Sequence, residues 1–208
     1  MDIHNIEKEW KNSKILGLDE AGRGAWAGPI VVAGCVLKPD VSESNLKLID
    51  DSKKFPEAKR EKLYDLITQE LALEYFVAFI DNETVDQIGP KKASVLGMEQ
   101  CFNEISKNIK IDVVITDFEK ISVPCENIYS FAKADEISKN VAAASIIAKV
   151  QRDRYMRQLS QEFPQYHFDE HKGYGTKKHS EALQQCGVTN LHRKSYKPIQ
   201  NIIKGGVK

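Results

Sequence analysis

Two adjacent carboxylates stand at the end of the first apolar run of the chain. Asp19 and Glu20 follow residues 15–18, and Gly22-Arg23-Gly24 comes almost directly after them. Strand ends are rigid, so side chains placed there can be held with the precision that catalysis requires. The glycines allow the backbone to approach a ligand closely. This junction predicts an active site that handles phosphate.

Two further aspartates, Asp117 and Asp135, lie at the end of a predicted strand or just before a predicted helix. Gathered together with Asp19 and Glu20, they would repel one another unless a cation neutralised them. Mg²⁺ and Mn²⁺ take oxygen ligands, and two such ions roughly 4 Å apart can activate a water and stabilise the leaving oxygen in a phosphoryl displacement. The bland alternative is that these aspartates are caps and turn residues. Other acids compete for the role: Asp50, Asp51, Asp112 and Glu119.

The elements that would position these acids alternate between strands and helices, which predicts an α/β fold. Strands are predicted over 14–19, 29–37, 73–80, 112–117 and 127–131. Helices are predicted over 3–10, 56–71, 92–106, 136–161 and 177–186, with Gly187 as a C-cap and 38–55 as a loop. The last twenty residues are predicted to be irregular or partly helical. We expect a single domain over 1–208, in which about 165–208 form a helical C-terminal extension.

The composition is that of an ordinary globular protein, with 208 residues, 41% of them hydrophobic and 29% charged. No apolar run approaches the roughly 20 residues that span a bilayer, and the N-terminus lacks the apolar region of a secretory signal. The four cysteines include no C-x-x-C pair. A few scattered thiols suit a reducing compartment, so the expected location is the cytoplasm.

Charge is balanced over the chain but divided unevenly along it. Residues 130–208 hold fourteen Lys and Arg against seven Asp and Glu, whereas residues 1–129 hold sixteen against twenty-three. A basic C-terminal part beside an acidic N-terminal part is compatible with a phosphate-binding surface next to a metal-binding cluster. A chance fluctuation with solvated helix faces explains the same counts.

Several blocks resemble bacterial type 2 ribonuclease H, ribonuclease HII, over nearly the whole chain and in the right order. They are DEAGRG at 19–24, AGP at 27–29, DSKK at 51–54, AAASIIAKVQRDR at 142–154 and HKGYGTKKH at 171–179. The resemblance implies a ribonuclease H-like mixed sheet flanked by helices. It also implies cleavage of the RNA strand of RNA–DNA hybrids and nicking of duplex DNA 5′ of an embedded ribonucleotide.

The resemblance further implies roles for individual residues. Asp19, Glu20, Asp117 and Asp135 would be the catalytic metal carboxylates for Mg²⁺ or Mn²⁺. Gly22, Arg23 and Gly24 would recognise the 2′-hydroxyl, the group that distinguishes ribose from deoxyribose. Tyr174 would stack on a sugar beyond the RNA–DNA junction, and Lys53 would contact a backbone phosphate.

The sequence departs from the family pattern at three places. Ala25-Trp26 stands where Pro-Leu is usual, and glycine is common at the positions of Phe118 and Ala134. These departures concern the loops around the predicted carboxylates, and they leave Glu119 as the main rival of Asp117.

Each remaining candidate also has an ordinary structural role that would explain its presence. Tyr174 would otherwise be a packed tyrosine, and Lys53 a solubilising loop residue. Basic residues near the C-terminal part would be phosphate contacts or helix-surface charges: Arg152, Arg154, Lys177 and Lys178. His171, His179 and His192 are expected to make structural hydrogen bonds, because oxygen-rich metal sites do not need them.

We therefore predict a metal-dependent endoribonuclease that acts on RNA–DNA hybrid and on ribonucleotide-containing duplex DNA. The alternatives are a non-catalytic hybrid-binding module and another ribonuclease H-like nuclease of the resolvase or transposase type. A monomer without a membrane partner is expected. No aromatic-ended clamp-binding peptide is visible at the C-terminus, so a sliding-clamp partner is not predicted.

Overall fold

A five-stranded mixed sheet lies at the centre of the structure, a computed structural model that describes residues 6–10, 13–50 and 55–205. The strands in chain order are β1 (Ile15–Ala21), β2 (Ile30–Leu37), β3 (Ala72–Ile80), β4 (Val113–Asp117) and β5 (Ile128–Phe131). Their order across the sheet is β3-β2-β1-β4-β5. β2 is antiparallel to both β1 and β3, whereas β1 and β4, and β4 and β5, are parallel. This architecture confirms the predicted α/β fold class.

Helices flank the sheet and continue into the C-terminal part. They are α1 (Ile6–Glu9), α2 (Glu43–Asp50), α3 (Glu57–Leu66), α4 (Asn82–Ile88), α5 (Pro90–Ile105), α6 (Lys139–Glu162), α7 (Phe168–His171), α8 (Lys177–Cys186) and α9 (Lys197–Gly205). A π-helical turn, Ile67–Leu71, extends α3 to β3, and short 3₁₀ turns occupy Ala134–Glu136 and Pro164–Tyr166.

The sheet separates two hydrophobic clusters, because successive side chains of a strand point to opposite faces. Ile30 and Val32 of β2 share one cluster with Met98 and Phe102 of α5. Ala33 and Cys35 of the same strand belong to a second cluster with the small residues of α6, Ala142–Ala144 and Ala148. β2 is buried over Ile30–Val36, as its apolar run predicts.

A third cluster fastens the C-terminal part to the loop between β1 and β2. Ala27 from that loop lies in it with Met156 of α6, Phe168 of α7, Leu183 of α8 and Ile199 of α9. An isolated β-bridge joins Ala27 to His192. The loop that follows the predicted active-site carboxylates is thus packed directly against the C-terminal helices.

The predicted loop over 38–55 was wrong in part, because α2 lies within it. The hydroxyl of Ser42 accepts a hydrogen bond from the amide of Asn45 at 3.3 Å, a local cap at the start of α2. Buried Ile49 then places one side of this short helix in the core. The DSKK block at 51–54, including Lys53, lies outside the described residues.

The long helix begins at Lys139 and not at residue 136. The Ser138 hydroxyl accepts a hydrogen bond from the amide of Val141 at 3.2 Å and caps α6. The predicted start therefore falls on a separate 3₁₀ turn, Ala134–Glu136. The C-cap at Gly187 is confirmed, and α9 supplies the helical portion of the last twenty residues. Within the described ranges, no helix is both long enough and apolar enough to cross a membrane.

Candidate active site

Asp19 and Asp117 lie at the same edge of the sheet. β1 and β4 are parallel neighbours, with Leu18 paired to Thr116, so Asp19 and Asp117 follow at equivalent positions. Asp19 is 6% exposed, and its Oδ1 accepts a hydrogen bond from the amide of Glu20 at 2.7 Å. Because both strands are hydrogen-bonded into the sheet, the backbone at these two carboxylates is held rigidly.

Asp135 reaches this edge through the turn that precedes α6. The amide of Ala134 donates a hydrogen bond to Oδ1 of Asp117 at 2.8 Å, which ties the 3₁₀ turn carrying Asp135 to the end of β4. Lys133, before the turn, has a left-handed backbone with φ of 59°. The structure therefore brings the segments that carry Asp19, Glu20, Asp117 and Asp135 to one region of the sheet edge.

The carboxylates in this region repel one another. Burial raises the pKa of Asp19 well above its ordinary value, and the charges of Asp117 and Glu20 raise it further. Burial also raises the pKa of Glu20 to about 7, against the opposing effect of Arg23. Nearby negative charge and desolvation both disfavour the ionised form of an acid.

The donor set suits a hard divalent cation, because every group in it is a carboxylate. A cation placed among these acids would offset the repulsion that raises the pKa values of Asp19 and Glu20. Across the described ranges of the chain, no three His, Cys, Asp or Glu side chains are gathered closely enough to hold a metal ion as they stand. The argument for a cation therefore depends on the mutual repulsion of the carboxylates of Asp19, Glu20 and Asp117.

Glu119, the rival of Asp117 in the sequence, has a different partner. It is 1% exposed, and its Oε1 lies 2.6 Å from Nη2 of Arg23. Its Oε2 lies 3.6 Å from Nζ of Lys91. The charge of Asp117 raises the pKa of Asp19, whereas the charges of both Asp117 and Glu119 raise the pKa of Glu20. This division favours Asp117 as the acid beside Asp19 and Glu119 as the anchor of Arg23.

The loop that carries Gly22-Arg23-Gly24 is held by two buried arginines. Gly22 has φ of 92°, and a Cβ at this position would lie 1.8 Å from Nε of Arg152, so only glycine fits. The carbonyl of Arg23 accepts hydrogen bonds from Nη1 of Arg193 at 2.9 Å and from the Tyr196 hydroxyl at 2.6 Å. Gly24 is exposed with open space above it. The outer part of the loop is therefore exposed to solvent while its base is fixed.

Both expected roles of Arg152, a phosphate contact and a helix-surface charge, were wrong. Arg152 is fully buried, and its guanidinium donates to the carbonyls of Pro29, Lys172 and Ala27 at 3.0, 2.9 and 3.2 Å. Arg193 is also fully buried and donates twice to the carbonyl of Gly28, at 3.0 and 2.8 Å. Backbone carbonyls thus satisfy these cations, because guanidinium offers five donors in a fixed fork.

The other three basic candidates form ion pairs on helix surfaces, which leaves both of their predicted roles open. Arg154 Nη2 lies 2.6 Å from Glu61 Oε2, and Lys177 Nζ lies 3.7 Å from Glu181 Oε1. Lys178 pairs with Glu170.

Trp26 braces the loop that carries Tyr174, which gives a physical reason for the unusual Ala25-Trp26 pair. The amide of Trp26 donates to the carbonyl of Gly173 at 2.8 Å. A Cβ on Gly175 would lie 2.1 Å from the indole ring, so the ring lies directly against that glycine. Tyr174, between the two glycines, is 37% exposed, and Cζ of Arg152 lies 5.2 Å from its ring centroid.

Two neutral, hydrogen-bonded histidines, His192 and His179, hold the loop that carries Tyr174. His192 Nδ1 accepts from the amide of Thr189 at 3.0 Å, so its proton must lie on Nε2, which is 3.1 Å from Nε2 of His179. His179 then carries its own proton on Nδ1 and donates to the carbonyl of Tyr174 at 3.0 Å. Burial lowers the pKa of His179 to about 4 and that of His192 to about 3. These hydrogen bonds agree with the structural role expected for the histidines.

Sequence reasoning missed three residues that hold the site: Arg193, Tyr196 and Glu119 as the partner of Arg23. Arg193 lies 170 positions from the carbonyl of Arg23 that it binds. No local pattern reports a contact at that separation. The only local signal was the cluster His192-Arg193-Lys194, whose charges resemble those of an ordinary surface segment.

The sheet order and its flanking helices define a ribonuclease H-like fold. Ribonuclease H2 from Pyrococcus horikoshii shares it, with a TM-score of 0.78, 25% identity and coverage of 92% of this chain and 98% of that chain. Ribonuclease HII from Archaeoglobus fulgidus, solved in a complex with PCNA, has a TM-score of 0.71 and 28% identity, with coverage of 88% and 95%.

Sequence comparison gives the particular family. The model of the Ribonuclease HII family matches residues 16–199. Ribonuclease HII of Mycoplasma capricolum is 44% identical over 205 residues, which are 97% of this chain and 92% of that protein. The chain belongs to the ribonuclease HII family and is an endoribonuclease of the ribonuclease H class.

Proposed function

We propose that this protein hydrolyses the RNA strand of RNA–DNA hybrids and nicks duplex DNA on the 5′ side of an embedded ribonucleotide. The observation that carries the proposal is the placement of Asp19 and Asp117 at equivalent positions of the neighbouring parallel strands β1 and β4, beside a fixed loop with an exposed Gly24. An acidic cation site next to a loop that can approach a sugar suits ribonucleotide-dependent phosphoryl transfer.

Asp19, Glu20, Asp117 and Asp135 would hold Mg²⁺ or Mn²⁺ in this proposal. Two bound ions would supply activation of water and stabilisation of the charge on the phosphate. The bond between phosphorus and the 3′-oxygen breaks and a bond from phosphorus to the water oxygen forms, which leaves a 3′-hydroxyl and a 5′-phosphate. The rigid strand ends supply orientation, because rates depend steeply on the positions of the reacting groups.

Substrate recognition is assigned to the two loops that the buried arginines hold. Gly22, Arg23 and Gly24 would contact the 2′-hydroxyl, since the ribose differs from deoxyribose only there. Arg23 is oriented for this by Glu119 and Glu20, which lie 2.6 and 3.5 Å from its guanidinium. Tyr174 would pack on the next sugar, and Lys53 would contact a phosphate.

A cytoplasmic location is part of the proposal, and the thiols support it. Cys35 and Cys101 are free and buried, and burial raises the pKa of each to about 12, so both remain protonated thiols. Free buried thiols support a reducing compartment and hence the cytoplasm.

A panel of end-labelled substrates tests the function. Wild-type protein is incubated with an RNA–DNA hybrid, a duplex with one ribonucleotide and an all-DNA duplex, each with Mg²⁺, Mn²⁺ or EDTA. Cleavage of the first two substrates only, and only with metal, is expected. Cleavage of all-DNA duplex would instead indicate a resolvase-like nuclease. Binding without cleavage in every metal would indicate a hybrid-binding module.

A further inference from the structure

Phe118 has an unusual position for a large apolar residue. It follows Asp117 directly, its side chain is 61% exposed, and its backbone is left-handed with φ of 61°. A side chain with a Cβ is disfavoured in this conformation, so a glycine would be more stable here. The ring gains little from burial in return. A left-handed backbone at a bulky residue beside the candidate site motivates a hypothesis of function.

The ring of Phe118 lies beside the loop that carries Arg23. The guanidinium carbon of Arg23 lies 5.8 Å from the ring centroid. The amide of Phe118 donates to the carbonyl of Phe131 at 2.8 Å, which fixes the backbone between β4 and β5. Glu119, the next residue along the chain, is paired with Arg23. The aromatic face therefore stands beside the loop assigned to the ribose, on a backbone that cannot easily retract it.

We infer that Phe118 is a substrate-binding residue, which packs its exposed ring on a sugar of the bound duplex. The inference rests on the proposed function. Bases within a duplex are stacked on one another, whereas sugar faces line the wide minor groove of a hybrid and remain accessible. The ring offers an apolar surface and no hydrogen bond for a 2′-hydroxyl, so it suits a deoxyribose. Phe118 would thus complement Tyr174 as a second aromatic contact.

Four variants separate this role from a structural one: F118G, F118L, F118Y and F79L. F118G relieves the backbone strain, so its Tm is expected to equal or exceed that of wild type. Any loss of binding is then not a loss of folding. F118L keeps the strain and an apolar side chain but removes the ring, and F118Y restores the ring. Phe79, 44% exposed on edge strand β3, is the matched aromatic control.

Steady-state nicking of a duplex with one ribonucleotide is the measurement, with wild type assayed in parallel. KM of F118G and F118L is expected to rise roughly fivefold or more, as for the loss of an aromatic–nucleotide contact, while kcat changes less than twofold. F118Y and F79L are expected to keep the wild-type KM. An unchanged KM in F118G or F118L would overturn the inference while the proposed function stands. Failure of wild type to cleave would overturn the proposed function itself.

Discussion

Glu119 Oε1 lies 2.6 Å from Nη2 of Arg23, and this ion pair joins the end of β4 to the loop after β1. Glu119 is 1% exposed, whereas the Arg23 side chain is 33% exposed, so a buried anion holds a cation that still reaches solvent. Glu119 is thus paired with Arg23, and Asp117 is the acid that lies beside Asp19. Asp117 thus belongs to the proposed cation site, whereas Glu119, two residues later, orients Arg23 for the proposed ribose contact.

Removing the charge of Glu119 is expected to disorder Arg23. E119Q should lower kcat/KM for a single-ribonucleotide duplex roughly tenfold, because Arg23 loses its close partner and must be reoriented by the substrate. Steady-state kinetics measure the effect, with E104Q as control, since Glu104 forms an exposed pair with Lys107. A wild-type kcat/KM for E119Q would show that Arg23 needs no anchor.

Replacing the buried Arg193 by lysine is expected to destabilise the protein strongly. Lysine cannot reproduce the fork that binds the carbonyls of Gly28 and Arg23, so R193K should lose about 3 kcal/mol of unfolding free energy. Urea unfolding measures the loss. R154K is the matched control, because Arg154 forms a partly exposed pair and should lose less than about 1 kcal/mol. Equal losses in the two variants would contradict the role assigned to Arg193.

The Trp26 indole is expected to act through Tyr174. W26A should raise KM for a single-ribonucleotide duplex several-fold, because the ring no longer packs on Gly175 and the loop loosens. W26F keeps an aromatic ring there and should restore part of the affinity. In a Y174A background W26A should have little further effect, since residues that act as a unit are non-additive. Fully additive losses would separate Trp26 from Tyr174.

In metal-free protein, Glu20 is expected to remove stability as the pH rises from 4.5 to about 7, whereas the buried His179 and His192, whose pKa values are lowered to about 4 and about 3, add stability over much of the same range. Burial raises the pKa of Glu20 from 4.5 to about 7, so in this range its carboxyl group binds more protons in the folded state than in the unfolded state. The loss from this residue is at most about 3 kcal/mol. Added Mg²⁺ should raise Tm more at pH 8 than at pH 5, because protons compete with the cation for the carboxylates.

Thermal unfolding across pH, with and without Mg²⁺, measures this linkage. E20Q should remove this loss, so that its unfolding free energy rises more, or falls less, than that of wild type between pH 4.5 and 7, and it should reduce the Mg²⁺ effect, whereas E104Q should leave both unchanged. A pH profile of E20Q parallel to that of wild type would show that Glu20 is not the titrating group.

The sequence predicted well those features that depend on local pattern. The strand end at Asp117 was predicted correctly, whereas β1 continues beyond the predicted end at Asp19 to Ala21, because Asp19, Glu20 and Ala21 still pair with β2. The helix at Glu43–Asp50 was missed because its apolar positions are few and its register is set by contact of Ile49 with the core. The buried Arg152 could not be distinguished from a surface arginine, because its partners are carbonyls about 20 and 125 positions away. Trp26 likewise has meaning only through Gly173 and Gly175.

The most direct test of the central claim is nicking of a duplex with one ribonucleotide by wild type and by D19N, each with Mg²⁺. Wild type is expected to cut once, on the 5′ side of the ribonucleotide, leaving a 3′-hydroxyl and a 5′-phosphate. D19N, which keeps the shape of the side chain, is expected to lose on the order of a thousandfold in rate. Near-wild-type nicking by D19N would contradict a cation site built on the ends of β1 and β4.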